Sequence, residues 1–178
     1  MKITKTKFEG LLIVKQDKFL DKRGSLRIVY NKKEIKHNRF IFDYCTTSKK
    51  NALRGFHFQF KKPQGKFVNV VKGKILDCVI DLRKKSKTFG KIFKIILSDK
   101  NCLSMYVPEG FAHGFYSYEK LNIIYYQLTD YYYPKYEDGI NPLDKSLKNI
   151  WPSKNVMTSK KDKNLGSLED FKKKYKYL

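Results

Sequence analysis

Short apolar runs rich in Val, Ile, Phe and Tyr recur along the chain, and clusters of Gly, Pro, Asn and Lys separate them. Runs of this length and composition, bounded by turn residues, are typical of β-strands. The runs that we predict to be strands are residues 11–14, 25–30, 39–45, 66–71, 74–82, 91–97, 103–107 and 122–128. Strands this short and this closely spaced favour an all-β sandwich or barrel over alternating βαβ units.

The run at residues 74–82 shows a period of two, in which successive side chains point to opposite faces. One face carries Leu76, Cys78, Ile80 and Leu82, and the other carries Ile75, Asp77, Val79 and Asp81. This alternation predicts a half-buried strand. The Lys72-Gly73 pair that precedes it stands between two apolar runs and predicts a tight hairpin turn.

Helical spacing is clearest at the C-terminal end of the chain. Ser167 can cap a helix there, with Asp170 three residues later and an apolar stripe along one side. The stripe consists of Leu168, Phe171, Tyr175 and Leu178. We also predict a short turn at residues 31–36 and an irregular segment at residues 149–164 that lies over the β core. The pattern shows no repeat or linker, so we expect a single domain over residues 1–178.

The composition predicts a folded domain, and its positive charge favours a small anionic substrate. The chain has 178 residues, of which 41% are hydrophobic and 15% are aromatic, enough to bury a sizeable core. It carries 39 basic and 17 acidic residues, a formal net charge of +22. Nucleic-acid binding is disfavoured because the lysines are scattered through predicted loops and strand ends and few basic residues are arginine. The positive field suits a small anionic substrate such as a nucleoside diphosphate.

The sequence also predicts a cytoplasmic location. Its apolar runs are shorter than the ~18 residues that a membrane span requires, and the N-terminal stretch lacks the apolar core and cleavage site of a secretory signal. The three cysteines, Cys45, Cys78 and Cys102, are odd in number and widely spaced. This spacing disfavours a disulfide framework or a zinc cluster and suits a reducing compartment.

A histidine lies inside the apolar segment Leu53–Gln59. Alternation assigns Gly55, His57 and Gln59 to one strand face and two phenylalanines to the other. A polar strand face is either a solvated outer surface or, inside a barrel, a functional wall, and the pattern alone leaves both open. Gly55 suits a bulge or a close backbone approach, which would bring Arg54 to the polar side as well.

Lys66, His113 and Tyr126 are three further candidate site residues. The turn at residues 61–63 predicts a hairpin that returns Lys66 near His57. A lysine at a strand start commonly reaches to water, whereas beside a histidine in a cavity it would stabilise a developing oxyanion. His113 lies in a Gly-rich and Phe-rich stretch, and Tyr126 follows it by 13 residues.

A metal site is not expected. Barrels with inward histidines often bind a metal through two histidines and a carboxylate. Here the second position after His57 is Gln59, so His113 is the only other imidazole in suitable surroundings, because His37 lies in a polar stretch and is expected to be solvated. The sequence contains no Walker loop, GxGxxG or GxSxG motif, so ATP, NAD and serine-hydrolase chemistry have no support.

Several motifs occur together in a fixed order along the chain. They are Phe19-x-Asp21-x-Arg23-Gly24, Leu53-Arg54-Gly55-x-His57-Phe58-Gln59, Gln64-Gly65-Lys66, Asp81-Leu82-Arg83-x-x-Ser86-x-Thr88-Phe89-Gly90, Pro108-x-Gly110-Phe111-Ala112-His113-Gly114-Phe115, Tyr126, Tyr132, Trp151-Pro152 and Ser159-x-Lys161-Asp162. As a set, they closely resemble the dTDP-4-dehydrorhamnose 3,5-epimerase family of cupins, over residues 8–165. The resemblance implies a cupin-type jelly roll with a short C-terminal helix, assembled as a homodimer.

The resemblance also implies an activity. The family epimerises C3 and C5 of a nucleoside-diphosphate 4-keto-6-deoxy sugar through an enolate, without a cofactor, and supplies surface polysaccharides such as capsule or lipopolysaccharide. It implies that His57 is the base, Asp162 its partner, Tyr126 the acid and Lys66 the residue that stabilises the enolate oxygen. The residues that match substrate-binding positions of the family are Phe19, Arg23, Arg54, Gln59, His113 and Tyr132.

The sequence departs from the family pattern at the nucleotide end. Ile28, Phe42 and Tyr44 stand where the family has polar residues, so guanine becomes a candidate base beside thymine, and a heptose a candidate sugar beside a hexose. Two alternatives stay open: a related cupin that shifts the ketone or inverts one carbon, and a non-enzymatic sugar-binding cupin. The joint presence of an acid, a base and an oxyanion donor favours an enzyme over a binding module.

Overall fold

The computed structural model describes residues 1–35 and 39–175. The strands in this part of the chain are β1 (Lys2–Lys5), β2 (Leu12–Lys15), β3 (Lys18–Asp21), β4 (Gly24–Arg27), β5 (Phe42–Ser48), β6 (Leu53–Gln59), β7 (Lys66–Lys72), β8 (Lys74–Asp81), β9 (Ile92–Ser98), β10 (Leu103–Val107), β11 (Phe111–Ser117), β12 (Asn122–Leu128) and β13 (Glu137–Gly139). The helices are short: two 3₁₀ turns at Pro134–Tyr136 and Lys145–Leu147, α1 (Lys160–Lys163) and α2 (Leu168–Lys174).

Two antiparallel sheets face each other across the main core. One has six strands in the order β1-β2-β10-β7-β12-β5, and the other has five in the order β13-β6-β11-β8-β9. Strands β3 and β4 form a separate hairpin. Since consecutive strands repeatedly cross from one sheet to the other, the arrangement is a jelly roll. The all-β prediction is confirmed.

The main core fills the space between the sheets with alternate residues of both. Val68 and Val70 of β7 and Met105 of β10 contribute from the six-stranded sheet, and Ile75 and Val79 of β8 contribute from the five-stranded sheet. All five are at most 1% exposed. The period of two in the sequence therefore identifies the residues that line the inner faces.

Strand β8 is buried on both faces, so the prediction of a half-buried strand is wrong. Its outer face, with Leu76 and Cys78, belongs to a second cluster that the C-terminal part of the chain supplies with Leu147, Leu168 and Phe171. On the inner face, the aspartates that suggested solvent exposure are buried and hydrogen-bonded. Paired carboxylates can be buried in this way, whereas unpaired ones rarely are.

Both predicted hairpins around β7 are wrong. β7 pairs with β10 and β12, whereas its chain neighbours β6 and β8 lie in the other sheet. At the junction of β7 and β8, Gly73 has a φ of +90°, and a Cβ there would lie 2.5 Å from the carbonyl oxygen of Leu121. A glycine is required because the chain turns a corner between sheets at this point.

Several strands differ from the predicted runs at their ends or were not predicted. Strand β4 stops at Arg27, and β5 begins at Phe42 and extends to Ser48. β1 and β3 consist largely of exposed residues, and β13 has only three residues, so none of them carries a strong apolar signal. β11 is buried along its whole length and therefore lacks the alternation that identifies half-buried strands.

The C-terminal helix forms as predicted. Ser167 and Asp170 make a reciprocal capping box at the start of α2, and Leu168 and Phe171 are buried, with Tyr175 packed against them. The segment at residues 149–164 lies over the five-stranded sheet, but it is not wholly irregular, since α1 forms near its end.

Residues 31–35 form the predicted hydrogen-bonded turn, with Ile35 N–H donating to the carbonyl of Asn31 at 3.0 Å. The predictions for Lys36, His37 and Leu178 lie outside the described residues. Among the helices of the described ranges, none has the length and apolar character needed to cross a membrane.

Candidate active site

A cavity of about 480 Å³ opens between the two sheets. The residues that line it include Tyr44, Arg54, Gly55, His57, Lys66, His113, Tyr126, Thr158, Lys161 and Asp162. Those on β5, β7 and β12 come from one sheet, and those on β6 and β11 come from the other. The structure therefore brings together all four residues that we predicted to be catalytic.

His57 and Asp162 form a hydrogen-bonded pair at the cavity wall. Nε2 of His57 lies 2.8 Å from Oδ1 of Asp162. Because a carboxylate only accepts, neutral His57 carries its proton on Nε2, and Nδ1 holds the lone pair that a base requires. The Asp162 side chain is 5% exposed and that of His57 is 28% exposed, so the carboxylate is shielded while the imidazole reaches the cavity.

Helix α1 holds Asp162 in place. Ser159 caps this helix by accepting a hydrogen bond from the backbone N–H of Asp162 at 3.0 Å. The second carboxylate oxygen of Asp162 accepts from the backbone N–H of Gly55 at 3.2 Å. Burial would raise the pKa of Asp162, but the hydrogen bond to His57, the charge of His57 and the Gly55 N–H together lower it. Asp162 therefore stays ionised beside the imidazole.

Gly55 allows β6 and β11 to approach closely beside this pair. Its φ is +103°, and a Cβ would lie 2.5 Å from both the Cα of Gly114 and the carbonyl oxygen of His113. The pairing of these strands shifts register between His113 and Phe115. The predicted bulge and close approach are confirmed, and Arg54 lines the same cavity. Its guanidinium is held by Ser48 Oγ at 3.0 Å.

Tyr126 enters the cavity from the opposite sheet. It lies on β12 and is 2% exposed. The rings of Tyr126 and His113 meet edge to face, with their centroids 5.9 Å apart. Burial raises the pKa of Tyr126 well above its usual value, and the neighbouring Tyr44 adds to this. The phenol is therefore protonated at neutral pH, as a proton donor must be.

Lys66 is a buried ammonium between the two walls. It starts β7, is 8% exposed, and its Nζ donates to the carbonyl oxygen of His57 at 3.4 Å. Burial lowers the pKa of Lys66 to about 8, although Glu137 and Asp77 act in the opposite direction. Its predicted place near His57 is confirmed, but the two residues meet across the sheets and not through a hairpin.

His113 belongs to a second histidine–carboxylate pair, which is more deeply buried. Its Nε2 lies 2.6 Å from Oδ1 of Asp77, and the two side chains are 5% and 0% exposed. Asp77 reaches His113 because β8 and β11 are neighbours in the five-stranded sheet. The pair fixes the tautomer of His113 with the proton on Nε2, which leaves Nδ1 as an acceptor.

A second cavity of about 340 Å³ adjoins the first, and Tyr44, His57 and Lys66 line both. Tyr132 lies at its rim and donates to Glu137 Oε2 at 2.7 Å. Burial raises the pKa of Glu137, but the bonds from Lys161 and Tyr132 and the charge of His57 lower it overall. The second cavity is therefore lined by a carboxylate that is already neutralised by a lysine.

Glu137 and Lys161 are site residues that we did not predict as such. Glu137 follows the 3₁₀ turn at Pro134–Tyr136, on the short edge strand β13, and Lys161 precedes Asp162 on α1. The composition does not distinguish Lys161 from the many other lysines of the chain, although it stands in the motif Ser159-x-Lys161-Asp162. The usable signal for Lys161 is its position next to Asp162 in that motif. Glu137 reaches the site because β13 pairs with β6, where it lies opposite Gln59.

Gln59 lines the second cavity, but its amide is engaged by the protein. Its Nε2 donates to the carbonyl oxygens of Lys62 at 2.6 Å and Tyr131 at 3.3 Å. Its Oε1 accepts from the N–H of Tyr133 at 2.7 Å. The side chain therefore fastens the loop that carries Tyr132.

Phe19 and Arg23 do not line either cavity. They lie on the β3–β4 hairpin, where Arg23 is paired with Asp21 and its side chain is 85% exposed. Arg27 of this hairpin donates to the carbonyl of Val70, near the end of β7 opposite to Lys66. Within one chain, these two residues therefore lie apart from both cavities.

No group of three or more His, Cys, Asp or Glu side chains in residues 1–35 and 39–175 is arranged to hold a metal ion. The two histidines of the site are each paired with a single carboxylate, and those carboxylates lie on different elements.

Comparison with known proteins identifies the family of this chain. A family model that describes dTDP-4-dehydrorhamnose 3,5-epimerase matches residues 5–170. The chain belongs to the dTDP-4-dehydrorhamnose 3,5-epimerase family. A family member from Methanothermobacter thermautotrophicus is 38% identical over 173 residues, which cover 93% of this chain and 94% of that protein. The chain is accordingly an isomerase of the epimerase type.

Solved structures of the family show the same cupin-type fold. The enzyme from Legionella pneumophila, in complex with dTDP-4-keto-L-rhamnose, superimposes with a TM-score of 0.90 at 35% identity, covering 94% of this chain and 93% of its own. The enzyme from Bacillus anthracis, with TDP and PPi bound, also has a TM-score of 0.90 at 35% identity, covering 94% of this chain and 99% of its own. The predicted cupin-type jelly roll is confirmed.

Proposed function

We propose that this epimerase inverts C3, C5 or both in a nucleoside-diphosphate 4-keto-6-deoxy sugar, with His57 as base and Tyr126 as acid. The observation that carries the proposal is their placement on opposite sheets of one cavity, which the Lys66 ammonium also lines. Inversion next to a ketone needs a base on one face of the sugar and an acid on the other.

The first step is proton abstraction. Nδ1 of His57 takes the proton from C3 or C5, and the electron pair of the C–H bond moves into the C4 carbonyl to form an enolate. The Lys66 ammonium stabilises the negative oxygen, a contribution of about 3–4 kcal/mol for one well-placed donor in other enzymes. Asp162, ionised and hydrogen-bonded to Nε2, stabilises the imidazolium that results.

The second step is protonation from the opposite face. The enolate collapses to the ketone and takes the phenolic proton of Tyr126, so the configuration at that carbon is inverted. His57 then loses its proton to solvent, and the Tyr126 phenolate regains one. No electron leaves the substrate, so the reaction needs no cofactor.

The nucleotide end favours a base that stacks. Phe42 and Tyr44 line the second cavity and their rings lie 5.9 Å apart, in contact with each other. The Legionella relative binds a dTDP-linked sugar. Because aromatic side chains accept any base by stacking, we propose that this chain also accepts GDP-linked sugars, of a hexose or a heptose. Arg54, which lines the first cavity, supplies positive charge for the diphosphate.

We propose that a homodimer completes the site. The β3–β4 hairpin exposes Phe19, Leu20 and Leu26 at 58%, 78% and 63%, and apolar side chains exposed to this extent on one hairpin are typical of an interface. In a dimer, this hairpin is free to reach the cavity of the second copy. Phe19 and Arg23 would then bind the substrate that their own chain does not contact.

The proposed setting follows from the product. An epimerised sugar that keeps its nucleoside diphosphate is an activated donor, and a glycosyltransferase that builds a surface polysaccharide such as capsule or lipopolysaccharide would consume it. We place this reaction in the cytoplasm, where nucleotide sugars are made, and in a single domain spanning residues 1–178.

The test is deuterium incorporation with a panel of dTDP- and GDP-linked 4-keto-6-deoxy sugars. We expect incorporation at C3, C5 or both with inversion, complete loss of exchange in His57→Asn, and exchange without inversion in Tyr126→Phe. Absence of exchange with every nucleotide sugar would refute the function. A kcat/KM for the dTDP sugar about a hundredfold above that for every GDP sugar would refute the nucleotide proposal alone.

A further inference from the structure

Tyr126 is stacked against a second tyrosine, Tyr44. The ring centroids are 4.8 Å apart and the ring planes are inclined by 23°. The two residues are direct partners across β5 and β12, so their side chains project from the same face of the sheet. Both residues line the first cavity, of about 480 Å³, and Tyr44 also lines the second cavity.

The stack is part of a longer aromatic row. Phe42 contacts Tyr44 at 5.9 Å between centroids, and Tyr131 contacts Phe42 at 6.3 Å. On its other side, Tyr126 meets His113 edge-on at 5.9 Å. The catalytic phenol is therefore held between two rings, one parallel and one perpendicular.

Tyr44 is placed to act through Tyr126 on the stereochemistry of the reaction. A phenol on a single Cα–Cβ bond can rotate, and only one orientation aims its hydroxyl at the face of the sugar opposite to His57. Stacking fixes that orientation, because a tilted ring would lose contact with Tyr44 or collide with it.

We propose that Tyr44 is a positioning residue that clamps the Tyr126 ring, so that each enolate is protonated on the inverting face. The inference rests on the proposed function, in which Tyr126 is the acid. Without the Tyr44 ring, the enolate still forms at His57, but Tyr126 delivers its proton less often. The imidazolium or water then returns a proton to the original face, which gives exchange with retention.

The test compares variants that keep or remove the ring. Tyr44→Phe keeps the stack and removes only the hydroxyl, whereas Tyr44→Leu and Tyr44→Met remove the stack with different shapes. Tyr125→Leu is the matched control, because Tyr125 directly precedes Tyr126 in β12 and projects from the opposite face, where its hydroxyl donates to Asp43. Each variant is first compared with the parent in thermal unfolding, so that an unfolded variant is recognised.

The measured quantity is the number of inversions per exchanged proton, from deuterium incorporation and product stereochemistry. We expect Tyr44→Phe and Tyr125→Leu to keep the parent's number of inversions per exchanged proton. In Tyr44→Leu and Tyr44→Met, inversion per exchange should fall by about tenfold. Exchange is compared at saturating substrate, so that weaker stacking on the nucleotide base appears in KM, and there it should change by less than about threefold. An unchanged ratio in both unstacked variants overturns the proposal, and so does an equal fall in Tyr44→Phe, since that would make the hydroxyl responsible.

A second readout does not depend on turnover. The aromatic NMR signals of Tyr126 should show slow ring flips in the parent and in Tyr44→Phe, and fast flips in Tyr44→Leu and Tyr44→Met. If no nucleotide sugar exchanges with the parent, the proposed function fails, and the ring-flip rates still decide whether Tyr44 clamps Tyr126. Equal flip rates in all variants overturn the clamp even if turnover is normal.

Discussion

The imidazole of His57 and the carboxylate of Asp162 lie 2.8 Å apart, although 105 residues separate them in the chain. His57 sits in the middle of β6, and Asp162 arrives on α1, a helix of four residues capped by Ser159. A short helix over the sheet thus delivers the carboxylate that fixes the tautomer of the base. The site consequently depends on the C-terminal segment as well as on the strands.

Asp162→Asn should be a weaker lesion than His57→Asn. The amide can still hydrogen-bond Nε2, but it cannot stabilise the imidazolium by charge, so the base weakens without being lost. We expect deuterium incorporation to fall by about 10–100-fold, against at least about 10²–10⁴-fold for His57→Asn. Asp138→Asn is the control, since that carboxylate bonds Lys174 and Tyr175 at α2 and lines neither cavity. Equal losses in the two dyad variants would contradict the division of roles.

The local parts of this site could be predicted from the sequence, and the parts made by long-range packing could not. Alternation in Leu53–Gln59 correctly separated His57 from the phenylalanines, and Gly55 correctly indicated a close approach. The path of the chain between sheets is not encoded in any short pattern. For this reason Lys66 was placed correctly near His57 but through a hairpin that does not exist.

Burial by distant segments was the second limit on prediction. The alternation in β8 predicts a solvent-exposed face at Asp77 and Asp81, yet both carboxylates are buried and hydrogen-bonded. The C-terminal segment covers the opposite face of the strand with Leu147 and Phe171. Glu137 was missed because its role depends on pairing of β13 with β6. The family resemblance supplied the roles of Asp162 and Tyr126, which no spacing argument could have assigned.

Lys66 predicts a loss of activity at alkaline pH. Its pKa is lowered to about 8, and the charged form is the one that stabilises an enolate oxygen. Because the ammonium is present below this pKa and lost above it, kcat/KM should fall as pH rises through about 8. Measurement of kcat/KM at intervals of about one pH unit between about pH 6 and 10 checks this prediction. In Lys66→Arg, any remaining activity should show no such fall, because the guanidinium stays charged. A parent enzyme whose kcat/KM stays constant up to about pH 10 would contradict the assigned role of Lys66.

Chelation should leave the activity intact. The proposed chemistry uses a base, an acid and an ammonium, and the described residues include no cluster of three potential metal ligands. We therefore expect full turnover after exhaustive treatment with EDTA and gel filtration. Loss of turnover that a divalent ion restores, at an unchanged circular dichroism spectrum, would show that a metal takes part in the reaction.

Substitution of Gln59 can show whether this cavity residue contacts the substrate or supports the loop that carries Tyr132. Its amide bonds the backbone of Lys62, Tyr131 and Tyr133, so Gln59→Leu would leave two carbonyls and one N–H without these partners. Each such loss costs about 1–3 kcal/mol where the group stays buried. We expect the free energy of unfolding to fall by about 2–4 kcal/mol, since partial access of water to the loop offsets some of the loss.

The same substitution should separate KM from kcat. A loosened loop displaces Tyr132 from its bond with Glu137 at the rim, which weakens substrate binding, while His57, Tyr126 and Lys66 stay in place. KM should therefore rise by about tenfold with kcat nearly unchanged. Gln64→Leu is the matched control, because Gln64 makes a single bond to the same loop, at the carbonyl of Asp130, and should cause a smaller fall in stability. A Gln59→Leu variant with parental stability but reduced kcat would instead mean that the amide acts on the reacting sugar.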